Sequence, residues 1–284
     1  MGVEVQLPHF NLMELNRDTK ALWAMLYHNR QTQLGNTVTI MNFGDEDNAG
    51  LVSAATFTGA RFHSAGLAPV WTPNEALSLY DIPLNLDSPG SWKDLIPIID
   101  MNGTDEEADT PDAAYWSRAL AAFSVGAWVN LRDATSSAIL AKYTTVGDLR
   151  EWVFQLTSGD FLQLIIYDEN DAVTPNASID TRANAVLAQD TWVFVVATYD
   201  GTANASGINL YQDGVLVAST DTDDANFLSA RDTTSVVEFG KSNGAAFFDG
   251  RIAGGPCGPF FVQAELTAEQ VANLFRIERL AIGV

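Results

Sequence analysis

Cysteine is almost absent: Cys257 is the only one in 284 residues. No intrachain disulfide can form, so stability has to come from packing, metal or oligomerisation. Positive charge is scarce too. There are four lysines, and Lys plus Arg total 15 against 36 Asp and Glu, a net charge of −21. A surface this negative repels phosphate backbones and excludes direct nucleic-acid binding. It favours solubility, divalent cations and a saline setting. No run approaches the roughly 18 apolar residues of a membrane helix, so no membrane partner is expected. The opening MGVEVQLPHFNLMELNRD has neither the basic start nor the apolar stretch of a secretory leader, and none is expected. His9, His28 and His63 are scattered without metal-ligand spacing. The chain has no Gly-x-Ser-x-Gly elbow, no phosphate loop and no Glu-x-Asp-x-x-Glu strand of a glucanase. Cys257 lies in a Gly/Pro-rich turn with no neighbouring His, which suits a structural thiol. These absences leave little room for an enzyme.

What is present is apolar content of 47% with turn residues at short intervals, a globular composition. Alternation of apolar and polar residues predicts strands at 122–131, 138–143, 152–157, 161–168, 191–199, 207–212, 215–219, 235–240 and 250–252. Asp200-Gly201 and Asp213-Gly214 fall where the chain must reverse, and Asp-Gly tolerates the positive φ of a tight turn. Short strands at this spacing predict a sandwich rather than alternating α/β units. Thr267 and Gln270 form a capping box before AEQVANLFRIERL, whose Val271, Leu274, Phe275 and Ile277 give a helix one apolar face. Near the N-terminus, 11–30 has a partly helical spacing and NTVTIMNFG reads as a strand. Residues 49–95 read as loops with a few short strands such as ATFTG.

Five blocks then carry a family resemblance, in order: Asp100–Asp112 (DMNGTDEEADTPD), Phe123–Val129 (FSVGAWV), Trp192–Val217, Phe248–Ile252 (FDGRI) and Glu265–Gln270 (ELTAEQ). Together they resemble laminin G-like domains of the concanavalin A-like lectin/glucanase superfamily. The resemblance implies an all-β jelly-roll sandwich over 56–284, strongest from 96, preceded by an N-terminal extension or anchoring segment at 1–55 and closed by a short C-terminal helix. The string Ile252–Phe261 (IAGGPCGPFF) also resembles closing segments of jelly-roll proteins from tailed bacteriophages. Two positions depart from the family. Ala253 stands where an acidic residue is common, and Asp105-Glu106-Glu107-Ala108 lacks the usual aromatic. Both touch the region where some relatives hold calcium.

Calcium takes six to eight oxygens, roughly, and the leading acidic cluster for it is Asp105, Glu106 and Asp109. Two other acidic groups are lesser candidates: Asp168, Glu169, Asn170 and Asp171, which read as a hairpin tip, and Asp221, Asp223 and Asp224. Among the tryptophans, Trp128, Trp152 and Trp192 sit in strand text and are expected between the sheets. Trp71 and Trp116 lie in loop-like text and are the expected ligand contacts. The resulting expectation is a non-enzymatic virion structural protein, a capsid decoration or fibre component. Its partners would be other virion proteins and host-surface glycans, and its copies would form a homo-oligomer at the virion surface. The alternative is a carbohydrate-binding adhesion module of a cell-surface or secreted protein, with calcium as its candidate cofactor.

Overall fold

A computed structural model describes residues 25–26, 28–30, 32–34, 38–40, 56–58 and 61–64. It also describes 97–284 apart from 111, 134–135, 171–173, 244 and 255–256. Most of the 11–30 stretch, most of 49–95 and the expected contact Trp71 lie outside the described residues.

The described strands build two antiparallel sheets. Sheet A runs β13 (Val215–Leu216), β12 (Ile208–Gln212), β11 (Trp192–Tyr199), β6 (Phe123–Leu131), β16 (Asp249–Ala253), β4 (Pro97–Asn102) and β3 (Arg61–Ser64), while β17 (Phe260–Val262) joins β6 to β1 (Val38–Ile40). Sheet B runs β14 (Ser219–Asp223), β10 (Thr174–Val186), β9 (Phe161–Asn170), β8 (Trp152–Leu156), β7 (Ser137–Lys142), β15 (Val237–Phe239), β5 (Glu107–Thr110) and β2 (Thr56–Thr58). This is the jelly-roll sandwich.

Strand alternation makes the core. Phe123, Val125, Ala127 and Val129 of β6 meet Trp152, Phe154 and Leu156 of β8 and Leu162, Leu164 and Ile166 of β9 between the sheets. The β11–β12 pairing keeps the register Val195↔Gln212 to Tyr199↔Ile208. Asp213 (φ 50°) and Gly214 (φ 78°) then turn the chain into β13, both central residues being left-handed as the tight hairpin requires.

Two strand expectations need correcting. The stretch 215–219 is not one strand. Val217 N–H donates to Leu210 O and Asn184 N–H donates to Ala218 O, so the chain leaves sheet A at β13 and enters sheet B at β14. The longest strand, β10, escaped the sequence pattern altogether. Of its inward residues Ala177, Ile179, Thr181 and Ala183, only Ile179 is large and apolar, and Asn, Asp and Ala rank low for strands. Its long antiparallel pairings with β9 and β14 override that local preference.

The helix α2 (Ala268–Ile282) has the expected capping box: Gln270 N–H donates to Thr267 Oγ1 and Thr267 N–H to Gln270 Oε1. It ends at Gly283 with φ 82°. Helical residues within 25–34, termed α1, lie against it, with Gln270 Nε2 donating to Gln33 O at 2.5 Å. Thus the described parts of the N-terminal 55 residues are built into the sandwich, since β1 also pairs with β17.

Candidate functional site

The two sheets present very different outer faces. On the outer face of sheet A, Trp128, Phe194, Val196, Tyr211, Phe260 and Val262 of β6, β11, β12 and β17 are buried under Val271 and Leu274 of α2 and Leu26 and Leu34 of the N-terminal helical segment, while towards β16 and β4 the outward row Asn130, Arg251 and Asp100 is polar and partly exposed. At the centre, the Arg30 guanidinium grips Glu278 with two hydrogen bonds, Nε to Oε1 at 2.7 Å and Nη2 to Oε2 at 2.9 Å. Trp128 Nε1 donates to the same carboxylate at 2.9 Å, and Arg30 Nη1 donates to Gly258 O at 2.6 Å. Cys257 belongs to this layer. Burial and the Glu278 carboxylate push its thiol well above the usual range, which makes it an inert packing group.

Sheet B's outer face carries a different set of residues. Antiparallel register lines up Asp109, Glu238, Ala141, Val153, Ile165, Asp180 and Thr222 in one row across it. Ala141 and Val153, with Ala138, make a small apolar floor against which Tyr143 and Tyr167 pack. The tyrosine rings are 5.3 Å apart and tilted by 52°, and Arg150 lies 5.7 Å from the centre of the Tyr167 ring. Beside the floor, Gln155 Nε2 donates to Gln163 Oε1 at 2.9 Å, and Gln163 Nε2 donates to Asp180 Oδ1 at 2.7 Å. This ladder holds the amides in fixed orientation and leaves further donor and acceptor positions on Gln155 and Asp180. Among the described residues no helix packs on this face.

One end of the row is acidic around a single cation. Lys241 pairs with Glu107 and with Glu238, the latter at 3.2 Å. Burial and the Glu107 charge raise the Asp109 carboxyl above its ordinary value, while Lys241 pulls it down. Burial also raises Glu238, opposed by the Asn243 N–H and by Lys241. Partial desolvation of Lys241 is outweighed by its two carboxylates, so its ammonium is held above the usual range.

The residues expected to bind metal do not converge. Asp105 is exposed and closes a turn, with its carboxylate taking Asn102 Nδ2 at 2.8 Å. Glu106 is buried just before β5, whereas Asp109 points to the outer face opposite Glu238. No group of three or more His, Cys, Asp or Glu side chains suited to a metal ion occurs among the described residues. With Ala253 buried under the helices, this donor set does not fit calcium.

The expected contact Trp116 is also relocated. It is 0% exposed, packed edge-on to Phe261 at 5.3 Å, because the 3-10 turn Ala114–Trp116 tips it into the core. Trp152 lies between the sheets as expected, but Trp128 is buried on the opposite side of sheet A and Trp192 is half-buried there. Gln155, Gln163, Asp180 and Tyr167 were not singled out from the sequence. The signal for Gln155, Gln163 and Tyr167 was available in the outward positions of strands 152–157 and 161–168, where amides and an aromatic alternate with core residues, whereas Asp180 lies in β10, which the pattern missed.

A family model described as the concanavalin A-like lectin/glucanases superfamily matches residues 102–254, more than half the chain. No curated protein matches. Among solved structures, the chain is similar to the binding domain of Paraclostridial Mosquitocidal Protein 1, with TM-score 0.56, 13% identity, and coverage of 86% of this chain and 52% of that one. It is also similar to the botulinum neurotoxin serotype D/C binding domain (TM-score 0.52, 10% identity, 86% and 52% covered). A botulinum neurotoxin type C structure, whose cell entry depends on interaction with two ganglioside molecules, gives TM-score 0.50 at 12% identity, with 87% and 52% covered. The chain spans about half the length of each. At these identities the likeness concerns the fold.

Proposed function

The chain belongs to the concanavalin A-like lectin/glucanase superfamily, and we propose that it is a non-enzymatic binding module whose sheet B face takes a saccharide. The carrying observation is the Gln155–Gln163–Asp180 ladder beside the apolar floor and the Tyr143–Tyr167 pair. The half-buried tyrosine rings, packed on a buried apolar floor, suit the C–H faces of a sugar, and fixed amides and a carboxylate suit its hydroxyls. Asp109, Glu238 and Asp180 on the same face, within a chain of charge −21, favour a neutral saccharide over an anionic one.

Screening the chain on a glycan array, alongside Tyr167→Ala and Gln163→Ala, tests this. A bound neutral glycan should lose about tenfold in affinity or more with each variant, roughly 1.4 kcal/mol. Absence of binding, or binding by both variants as tight as by the wild type, would sink the reading. No reducing ends should be released from the bound glycan.

A second reading places the same module at a virion surface, in repeated copies, with host-surface glycans meeting sheet B. The observation favouring it is the resemblance of Ile252–Phe261 to closing segments of phage jelly-roll proteins. In the fold, Ile252 and Phe261 fill the core and Ala253, Cys257 and Phe260 fill the sealed layer. Mass spectrometry of purified particles decides it: particles lacking the chain remove the virion role while leaving the saccharide site standing.

A further inference from the structure

Lys142, the last residue of β7, points into the sandwich. Its cross-strand neighbours are Trp152 on β8 and Val237 on β15, both core residues, and its side chain is 0% exposed. Nζ meets three acceptors: Glu151 Oε1, Thr233 O at 2.5 Å and Asp112 Oδ1 at 3.1 Å. Glu151 is equally buried. Its Oε1 also accepts from Ser117 Oγ at 3.0 Å, Thr233 N–H at 2.5 Å and Thr233 Oγ1 at 2.9 Å. Its Oε2 is buried and accepts no hydrogen bond. Asp112 stands at the rim, with 31% of its side chain exposed.

An amine, the carboxyl it touches and a second carboxyl within hydrogen-bond reach are the parts needed for condensation. We propose that Lys142 and Asp112 join in an intramolecular amide bond, with Glu151 relaying the protons. The Nζ–Cγ bond forms and one Cγ–O bond of Asp112 breaks. Nitrogen gives up two protons, and both end on the departing oxygen, which leaves as water. Ammonium plus carboxylate therefore yields amide plus water, and no oxidant, reductant or cofactor takes part.

The geometry favours this in three ways. The reacting groups are held in contact by the fold, which replaces a bimolecular encounter by a positioned one. Burial among Trp152, Val237 and the rest of the core excludes the water that would reverse the step and disfavours separated charges. Burial also raises the Glu151 carboxyl, against the pull of Lys142 and the Thr233 N–H, so it retains a proton in transit better than an exposed glutamate does. The exposed edge of Asp112 gives the released water its way out. The bond would tie the segment after β5 to β7 across β15, since Thr110, Val237 and Lys142 share one row. It would act as a disulfide does, restricting the unfolded chain, in a protein with a single cysteine.

Denaturing mass spectrometry of the intact, full-length chain tests the proposal. The expected mass is below the sequence mass by one water, and digestion should give a branched peptide joining Lys142 to Asp112. Asp112→Ala, a change at the partly exposed rim, and Glu151→Gln should each restore the full mass expected for the variant. A wild-type chain at its full sequence mass after prolonged incubation overturns the proposal. So does a water loss that maps to a succinimide.

Discussion

Sheet A and sheet B are built by the same alternation, yet their outer faces have opposite fates. On β6, β11, β12 and β17 of sheet A large apolar residues face outward, and α2 and the N-terminal helical segment cover them around the Arg30–Glu278 pair. On sheet B they are amides, carboxylates, small residues and tyrosines. The jelly roll thus separates a face that completes the core from a face that carries amides, carboxylates and tyrosines. The covered face fixes the fold's shape, and sheet B's side chains are free of that duty.

The largest expected effect lies at the covered face. Arg30→Met leaves Glu278 buried with Trp128 as its remaining side-chain donor, a loss of about 3–5 kcal/mol in chemical denaturation. Pairing it with Glu278→Leu should recover most of that loss, because the uncompensated charge is gone. A loss near zero for the single variant would break the contrast by showing that the N-terminal segment does not seal sheet A.

Deleting matched apolar volume sharpens the same contrast. Leu274→Ala, under the helix, should destabilise by about 2–5 kcal/mol, while Ile165→Ala, half-buried on sheet B, should change stability by about 1 kcal/mol or less. Equal losses would mean that sheet B is covered as thoroughly as sheet A.

The smallest effect is one of pH. Because Asp109 is held above its ordinary value of 3.8, the folded state binds its proton more tightly than the unfolded chain. Its stabilising contribution is therefore present below about pH 3.8 and is lost as pH rises through the folded value. Asp109→Asn removes this loss, so the variant should gain on the wild type as pH rises from acid towards neutral. A stability difference that stays constant in thermal melts over that interval would show that Asp109 is not shifted.

Much of this fold was legible residue by residue. The β6, β8, β9 and β11 strands announced themselves by alternation, and Thr267 with Gln270 announced α2. The strand β10 did not, because residues such as Ala177 and Thr181 become core only when β9 and β14 pair on either side. The candidate site was barely legible. Acidic runs and loop tryptophans drew attention to Asp105, Glu106, Asp109 and Trp116, whereas Gln155, Gln163 and Asp180 come from three strands and meet only through register.

The sequence by itself determined the sandwich, its strand periodicity, its capped closing helix and its dependence on packing in place of disulfides. It assigned residues to alternate sides of each strand, since that follows from backbone geometry alone. Which side of each sheet would be covered was decided only by tertiary structure. Trp128 and Trp152 look alike in strand text, but one is buried beneath α2 and the other between the sheets. The docking of α2 and of Arg30, residues far apart in the chain, made that choice.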